Sequence, residues 1–564
     1  MALRTLILFF TFAVSANEPI IRSTSRIHPN YASHAMVVSQ DSFATKAAID
    51  ILKKGGTAAD AAVALAYVLA VTQPKAGNIG GGGFALYYDA ETSGTTAIDF
   101  RETAPAKAFK ELFLDKDGKV DSNKSRFSLN ASGIPGTVAG LEYIRATFGK
   151  FELAELMVPA IQLADKGFPV SAGLAFDLNK VEKVFRSDPY LENIYFKNDK
   201  ILSINDLLIQ KDLAKTLAKI SQNGSKEFYE GKIAEAFVEY FKKDGGLISK
   251  DDLANYKVKT YQPVKGMYRG YEVLSMPPPS SGGVHLIQML NILEKWDLKT
   301  VGHNSAEYIH KLCETMKLAY ADRSLHLGDP AFTRVPVKGL ISKKYASQLR
   351  KGITEKARKS ALIKPGKPQA FESPETTHFS IIDQYGNAIS LTYTINFSFG
   401  SRKVISGLGF FLNNEMDDFS AKTGATNAYG LIGSDANSIE PGKRPLSSMT
   451  PVIVLKENQP WLITGSPGGS RIITSVLQVV LNVIDHDMNI AEATMAPRVH
   501  HQWLPDLINL EMGISPDTIS LLKSRGHKVK TGSTLGCTES ILIENGLKYG
   551  FADPRRIDAS AQGY

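Results

Sequence analysis

Two adjacent threonines, Thr376 and Thr377, open a strand-like pattern in residues 373–396, SPETTHFSIIDQYGNAISLTYTIN. Threonine is β-branched and favours extended backbone, which is one reason to find it at a strand end. Its hydroxyl can also act as a nucleophile, but near neutral pH it needs a base, and no obvious histidine and aspartate pair accompanies it. Backbone cleavage before Thr376 would supply that base, because the freed α-amino group, with an ordinary pKa of about 7.7 to 8.0, lies beside its own hydroxyl.

The same segment predicts a β-hairpin whose loop is Tyr385 to Asn387. Matching the two strands puts apolar side chains opposite each other on one face: Phe379 with Tyr393, and Ile381 with Leu391. The other face is polar and pairs three residues of each strand: Thr376 with Asn396, His378 with Thr394, and Ser380 with Thr392. Such a patch suits a structural sheet edge as well as a site around one threonine.

A second candidate feature is the turn in WLITGSPGGSRIITSVLQ, where a strand from Trp461 reaches Gly468 and Gly469 and an apolar helix starts near Ser470. Bare amide N–H groups at a helix N-terminus favour negative charge and can stabilise an oxyanion. An ordinary strand-to-helix turn has the same appearance, so the turn alone leaves both interpretations open.

Acidic residues cluster in LNNEMDDFS, which contains Glu415, Asp417 and Asp418. The segment lacks the spaced oxygens and the glycine of a calcium loop. These acids therefore fit either a solvated surface or a group that receives an ammonium ion.

Carboxylate-binding groups are also available. KRPLSSM places Ser447 and Ser448 before a strand, and IDFRETAPAKA places Arg101 at the end of one. Guanidinium suits bidentate recognition of a carboxylate. Acids, arginine, serines, a nucleophile and an oxyanion turn together meet the needs of an α-amino acid ligand with a reactive carbonyl farther out.

The rest of the sequence limits the possible fold classes and kinds of site. Helical and strand patterns alternate along 564 residues, which indicates an α/β or layered α+β fold. The glycines of NIGGGGF precede a strand pattern and lack the lysine of a phosphate-binding loop, so close backbone approach is the better explanation. Residues 57–72 predict a core helix despite Asp60. Two distant cysteines imply neither a disulfide framework nor a metal site.

The first residues, MALRTLILFFTFAVSA, predict a secretory signal cleaved after about Ala16, because the apolar run is too short for a membrane span. The net charge of +8 is concentrated in residues 338–367, without interleaved aromatic residues. That pattern favours a solvated helix and linker over nucleic-acid binding.

Several of these motifs closely resemble the γ-glutamyltransferases (γ-glutamyl transpeptidases), most nearly the bacterial exported members. The matching segments are TTHFSIID, TYTIN, LNNEMDDFS, DANSIEPGKRPLSSMTP, TGSPGGSRIITSVLQ and MAPRVHHQWLPD, with IDFRETAPAKA, AGNIGGGGF and MPPPSSGGVHL in the N-terminal part. The resemblance covers nearly the whole mature chain. It implies an α+β fold, the four-layer αββα sandwich of the N-terminal nucleophile hydrolases.

The resemblance also implies a signal peptide at 1–16, a large chain at 17–375 and a small catalytic chain at 376–564. The two chains would arise by autocatalytic cleavage between Glu375 and Thr376 and would form one globular heterodimer. Thr376 would be the nucleophile in maturation and turnover, with no cofactor and no metal.

Other roles carry over position by position. The catalytic partners would be Thr394, which orients Thr376, and the amides of Gly468 and Gly469, which form the oxyanion hole. The substrate α-amino group would be held by Asn396, Glu415 and Asp418. Its α-carboxylate would be bound by Arg101, Ser447 and Ser448. Tyr429 would belong to a lid that covers the substrate. Glu415 stands where some bacterial members carry glutamine.

The expected activity is attack on the γ-glutamyl amide of glutathione and similar compounds, followed by transfer to water or to an amino acid or peptide amine. The expected location is the periplasm or the medium. Two alternatives remain: a related acylase acting on glutaryl amides of β-lactams, and a non-enzymatic exported amino-acid-binding protein.

Overall fold

The computed structural model describes residues 25–368, 378–425, 427, 430–532 and 534–564. Three sequence predictions lie outside the described residues: the signal segment 1–16, the cleavage site with Thr376, and Tyr429.

The strands of the described chain are β1 (Asn30–Ala32), β2 (Met36–Ser39), β3 (Gly82–Asp89), β4 (Gly94–Phe100), β5 (Phe168–Pro169), β6 (Phe196–Lys197), β7 (Lys200–Ile201), β8 (Leu207–Leu208), β9 (Lys259–Tyr261), β10 (Val264–Tyr268), β11 (Tyr271–Ser275), β12 (His378–Ile382), β13 (Ala388–Thr394), β14 (Val452–Lys456), β15 (Gln459–Thr464), β16 (Val499–His500), β17 (Ile508–Leu510), β18 (Val529–Thr531), β19 (Glu539–Glu544), β20 (Leu547–Ala552) and β21 (Ser560–Gly563).

The helices are α1 (Ser42–Lys53), α2 (Ala58–Thr72), α3 (Ser122–Phe127), α4 (Thr137–Phe148), α5 (Leu153–Lys166), α6 (Ala172–Arg186), α7 (Pro189–Tyr195), α8 (Lys211–Asn223), α9 (Ser225–Tyr229), α10 (Lys232–Lys243), α11 (Lys250–Ala254), α12 (Gly282–Leu293), α13 (Leu298–Val301), α14 (Ala306–His326), α15 (Val337–Leu340), α16 (Lys343–Arg350), α17 (Ile472–Ile484), α18 (Ile490–Met495) and α19 (Pro516–Ser524).

Two seven-stranded antiparallel sheets form the centre of the molecule. Sheet I has the strand order β21-β2-β12-β13-β3-β4-β9, and sheet II has the order β1-β20-β19-β15-β14-β11-β10. Apolar side chains of the two sheets meet between them, as Met36 and Phe84 of sheet I do with Ile453 and Ile541 of sheet II. Each sheet takes strands from both sides of position 376, so the two parts of the chain are interleaved.

Helices lie on the other face of each sheet. α1, α2 and α4 pack against sheet I and share one apolar core with its β12 and β13. α12 packs against β10 and β11 of sheet II, and α17 joins the core that contains Val454 and Leu462. The architecture is therefore mixed helix and sheet, as the alternating sequence patterns predict.

Helix α2 confirms the prediction of a core helix, and all of its residues are buried. Asp60 is tolerated there because its carboxylate accepts hydrogen bonds from backbone N–H groups. The donors are Thr57, at 2.9 Å in a capping box, and Lys150 and Phe151, at 3.0 and 3.1 Å, in the loop after α4. One buried carboxylate thus caps α2 and fixes the neighbouring loop.

The hairpin of β12 and β13 has the predicted faces but a different register. His378 pairs with Thr392, so the prediction that it lies opposite Thr394 was wrong by two residues. A shift of two residues keeps every side chain on its face. Phe379 therefore still enters the apolar core, and the Ser380 hydroxyl points to sheet II, where it donates to the carbonyl of Glu539 at 2.8 Å.

Asp383 explains the shift. Its carboxylate accepts hydrogen bonds from the backbone N–H groups of Tyr385 at 2.8 Å and Asn387 at 3.0 Å. It also accepts from the N–H of Ala58 at the start of α2, at 2.8 Å. These bonds stabilise a wider loop than the predicted three residues.

Asp60→Ala is expected to lower the free energy of unfolding by about 2 to 3 kcal/mol, because three backbone N–H groups lose a charged, buried acceptor. Asp50→Ala is the matched control, since Asp50 is an exposed acid that pairs with Lys46 on α1 and should contribute no more than about 0.5 kcal/mol. Denaturant unfolding followed by circular dichroism measures both. Equal losses in the two variants would contradict this role of Asp60.

Candidate active site

Three of the predicted site residues, Arg101, Thr394 and Asn396, lie at or just after strand ends at one edge of sheet I. Thr394, the last residue of β13, pairs with Gly82 at the start of β3, and Gly83 pairs with Phe100 at the end of β4. Arg101 follows directly. Because β12 is antiparallel to β13, β12 begins at this same edge.

Arg101 is a buried cation surrounded by three buried carboxyl groups. Its guanidinium donates to Asp418 at 2.8 Å and also to Glu415, and it lies 3.6 Å from the carboxylate of Glu102. Glu415 and Asp418 reach it together because they lie on one 3₁₀ turn. The predicted carboxylate-binding arginine and the predicted ammonium-binding acids thus form one contact network.

Burial raises the pKa of all three carboxyl groups, and Arg101 opposes the effect. The pKa of Asp418 is raised to about 6 and that of Glu102 to about 7, while that of Glu415 lies well above its ordinary value. Both oxygens of Glu102 and Oε2 of Glu415 accept no hydrogen bond from the described residues. Buried acceptors without donors are costly, so an ammonium group placed among them would be strongly stabilised.

Glu102 was missed by the sequence analysis. Its position directly after Arg101 is a signal, since a strand end that brings Arg101 into the site brings the next residue close to it.

Asn413 ties the acidic segment to two glycine clusters. Its Nδ2 donates to the carbonyls of Gly80 and Gly133, each at 2.8 Å, and its Oδ1 accepts from the Gly133 N–H at 2.8 Å. The chains approach so closely that a Cβ on Gly81 would lie 1.9 Å from the carbonyl oxygen of Thr394. Close backbone approach, the predicted reason for the NIGGGGF glycines, is confirmed.

The end of β13 is held against the same segment. The N–H of Asn396 donates to Thr394 Oγ1 at 2.7 Å, and Asn396 adopts the left-handed conformation with φ of +72°. Its Nδ2 donates to the carbonyl of Asn414 at 2.9 Å. Asn396 therefore stands between the hairpin and the residue that precedes Glu415.

Ser447 and Ser448 are buried beside a second arginine. Arg323 of α14 lies 3.4 Å from Ser448 Oγ, while Arg101 Nε lies 3.5 Å from the carbonyl of Pro445. The Ser447 hydroxyl makes no hydrogen bond within the described part of the chain. Arg323 was missed because nothing in its helical pattern sets it apart.

Gly468 and Gly469 form the turn between β15 and α17, as the sequence predicts. Their φ angles are +133° and +59°, values that favour glycine. Before this turn, a Cβ on Gly465 would lie 2.4 Å from the ring of His378. The strand that leads into the turn therefore lies against the start of β12.

The predicted lid segment borders the acids. A cavity beside Asp417 and Asp418 is also lined by Asn427, Leu431 and Arg323. Asn427 Nδ2 lies 3.4 Å from Asp418 Oδ1. The roles of Thr376 and Tyr429 stay predictions, because both residues lie outside the described chain.

Comparisons with known proteins agree with this arrangement. A family model described as Gamma-glutamyltranspeptidase matches residues 44–563. The glutathione hydrolase proenzyme of Escherichia coli strain K12 is 51% identical over 544 residues, which cover 95% of this chain and 93% of that protein.

Two solved structures extend the likeness. A cephalosporin acylase from Bacillus halodurans has a TM-score of 0.85 at 27% identity, over 98% of this chain and 99% of its own. A chain of Helicobacter pylori gamma-glutamyltranspeptidase has a TM-score of 0.57 at 43% identity, over 61% of this chain and 97% of its own. Because the family model matches residues 44–563, nearly the whole of this chain, the chain belongs to the gamma-glutamyltranspeptidase family.

Proposed function

We propose that the chain is an exported γ-glutamyltransferase and glutathione hydrolase that matures by cleaving itself. The observation that carries the proposal is the buried cluster of Arg101, Glu102, Glu415 and Asp418 at the edge where β12 begins. The acids of this cluster can pair with the ammonium group of an α-amino acid, and Arg101 can pair with its carboxylate. The cluster lies next to β12, which starts two residues after Thr376. Membership of the family supports the same activity.

The nucleophile of this proposal is Thr376. In the observed register His378, two residues after Thr376 in the sequence, pairs with Thr392, two residues before Thr394. The Thr394 hydroxyl would orient Thr376. In maturation the Thr376 hydroxyl attacks the carbonyl of Glu375, the peptide bond becomes an ester, and water hydrolyses the ester to leave a free α-amino group.

Turnover uses that amino group as the base. The Thr376 oxygen adds to the γ-carbonyl carbon while its proton passes to the α-amino group, and the amides of Gly468 and Gly469 hold the oxyanion. The C–N bond then breaks, the leaving amine takes the proton, and a γ-glutamyl ester remains. Water or the amine of an amino acid or peptide attacks the ester and restores the hydroxyl.

Substrate recognition follows from the charges. The α-carboxylate would bind Arg101, Ser447 and Ser448, and the α-ammonium would bind the acids with Asn396. Arg101 already contacts Glu415 and Asp418. On binding, the ligand α-carboxylate would pair with Arg101 in place of these acids, and the ligand α-ammonium would pair with the acids in place of Arg101. The network supplies both charges in a preorganised form.

The mature enzyme would be a heterodimer of residues 17–375 and 376–564 with the αββα sandwich of the N-terminal nucleophile hydrolases. The Helicobacter pylori chain supports this, because it matches over 97% of its own length yet spans only 61% of this chain, a share close to that of residues 17–375. Export to the periplasm or medium rests on the signal-like residues 1–16. Within the described residues, no helix has the length and hydropathy of a membrane span.

A glutaryl acylase is the second candidate, favoured by the likeness to the Bacillus halodurans acylase. A glutaryl group lacks the α-amino group, so it would leave the acids around Arg101 without a cationic partner. The acid cluster therefore favours a γ-glutamyl substrate. An amino-acid-binding protein without catalysis does not fit a member of this enzyme family.

Thr376→Ala should leave the chain uncleaved and inactive, because the hydroxyl that attacks in both maturation and turnover is lost and the α-amino base is never freed. Thr377→Ala is the matched control and should still be cleaved. Denaturing electrophoresis and N-terminal sequencing measure the outcome. An active Thr376→Ala protein, or active wild type in which residue 376 is not a chain terminus, would refute the assignment.

Asp418→Asn should raise KM for a γ-glutamyl anilide at least about tenfold, because an ammonium loses a charged partner. KM for a glutaryl anilide should change less than about twofold, since that substrate has no ammonium group. Asp417→Asn is the matched control, because Asp417 interacts with Ser125 and Arg126 instead of Arg101. A larger effect of Asp418→Asn on the glutaryl substrate would favour the acylase.

Inhibition by free glutamate should strengthen about tenfold between about pH 5 and about pH 7. Below its pKa of about 6, Asp418 is protonated and cannot pair with an ammonium; above it, the carboxylate is charged. Inhibition constants measured across this range, in wild type and in Asp418→Asn, test the assignment. An unchanged profile in the variant would assign the titration to another group.

A further inference from the structure

A second cluster of chemically active side chains lies in the helices outside sheet II. His310 and Glu314 are one turn apart on α14, and His527 follows α19; all three are buried. One potential ligand atom from each lies within 4.8 Å of the others. The mechanism above uses none of them.

A backbone carbonyl fixes the tautomer of His310. Its Nε2 lies 2.6 Å from the carbonyl oxygen of Thr354, which can only accept, so Nε2 carries the proton. Nδ1 is therefore a lone-pair donor, and it faces His527 Nε2 at 2.8 Å. A histidine oriented by a carbonyl on its far nitrogen is the usual arrangement around a metal ligand.

Glu314 has acceptor capacity left on one oxygen. Its Oε1 accepts from Lys317 Nζ at 2.8 Å, whereas Oε2 accepts a long bond of 3.4 Å from the N–H of Arg358. Lys317 also donates to the carbonyl of Arg358 at 2.8 Å and lies 3.5 Å from the carboxylate of Asp506. Lys317 therefore keeps these partners when Oε2 of Glu314 binds another group.

The contact between the two rings also fixes the tautomer of His527. Because His310 Nδ1 accepts, His527 Nε2 donates the hydrogen bond between them. That proton must move to Nδ1 of the same ring before His527 Nε2 can bind a metal ion.

We propose that His310, Glu314 and His527 bind a divalent transition metal ion, with zinc as the best match. Two imidazoles and one carboxylate are a known zinc ligand set. At a tetrahedral zinc ion, Zn–N bonds of about 2.0 to 2.1 Å place two nitrogens about 3.3 Å apart, so the facing nitrogens, now 2.8 Å apart, would separate by about half an ångström. A cleft lined by Trp296, Glu307 and Thr354 also touches His310. The ion would join α14 to the chain after α19, apart from the Arg101 cluster.

Equilibrium dialysis against Zn²⁺ tests the proposal. It uses the full protein after a chelator has removed bound metal. Wild type should retain one Zn²⁺ per chain, with binding at least about tenfold weaker in His527→Gln and in Glu314→Gln. Glutamine at 527 keeps a donor for His310 Nδ1, which protects the fold. His486→Gln is the matched control, since His486 is a histidine elsewhere that makes an edge-to-face contact with His303, and it should bind like wild type.

Thermal unfolding gives an independent readout. Zn²⁺ should raise the midpoint of wild type and His486→Gln but not that of Glu314→Gln, because only a bound ion stabilises the native state. Mg²⁺, which prefers oxygen ligands, should shift none of them. Absence of zinc binding to wild type, or equal binding by wild type and both ligand variants, would overturn the site.

Discussion

One buried guanidinium, that of Arg101, lies among three buried carboxyl groups, and the rest of the site is arranged around this excess of acid. Removing a partner from a buried ion pair is strongly unfavourable, since the remaining charges have no water to solvate them. The surplus of acid makes the cluster receptive to a cation, and the arginine makes it receptive to an anion. A ligand that carries both charges meets both needs at once.

The positions of these charges depend on backbone contact. Gly81 lies where any side chain would collide with the carbonyl of Thr394, and Asn413 binds the carbonyls of Gly80 and Gly133. Strand ends from distant parts of the chain can approach this closely only because glycine occupies the contact points. The glycine clusters thus set the distance between the hairpin and the acidic segment.

Sequence reasoning succeeded where a local pattern decides the outcome. Periodicity predicted α2 and the two faces of the hairpin, and motif order indicated the family and the residues gathered at the strand ends. The register failed by two residues because it depends on bonds that the Asp383 carboxylate makes within the loop and with Ala58. Glu102 and Arg323 were missed because burial against other segments, not spacing, gives them their surroundings. His310 and His527 are separated by 217 positions, so only the fold brings them together.

The interleaved sheets constrain how the protein can be made. β2 pairs with β21, where Ser39 lies opposite Ser560 near the other end of the chain. β1 pairs in the same way with the distant strand β20. A ribosome must deliver nearly the whole polypeptide before either sheet can close. Throughout synthesis the early strands therefore keep unpaired edges until the last part of the chain reaches them.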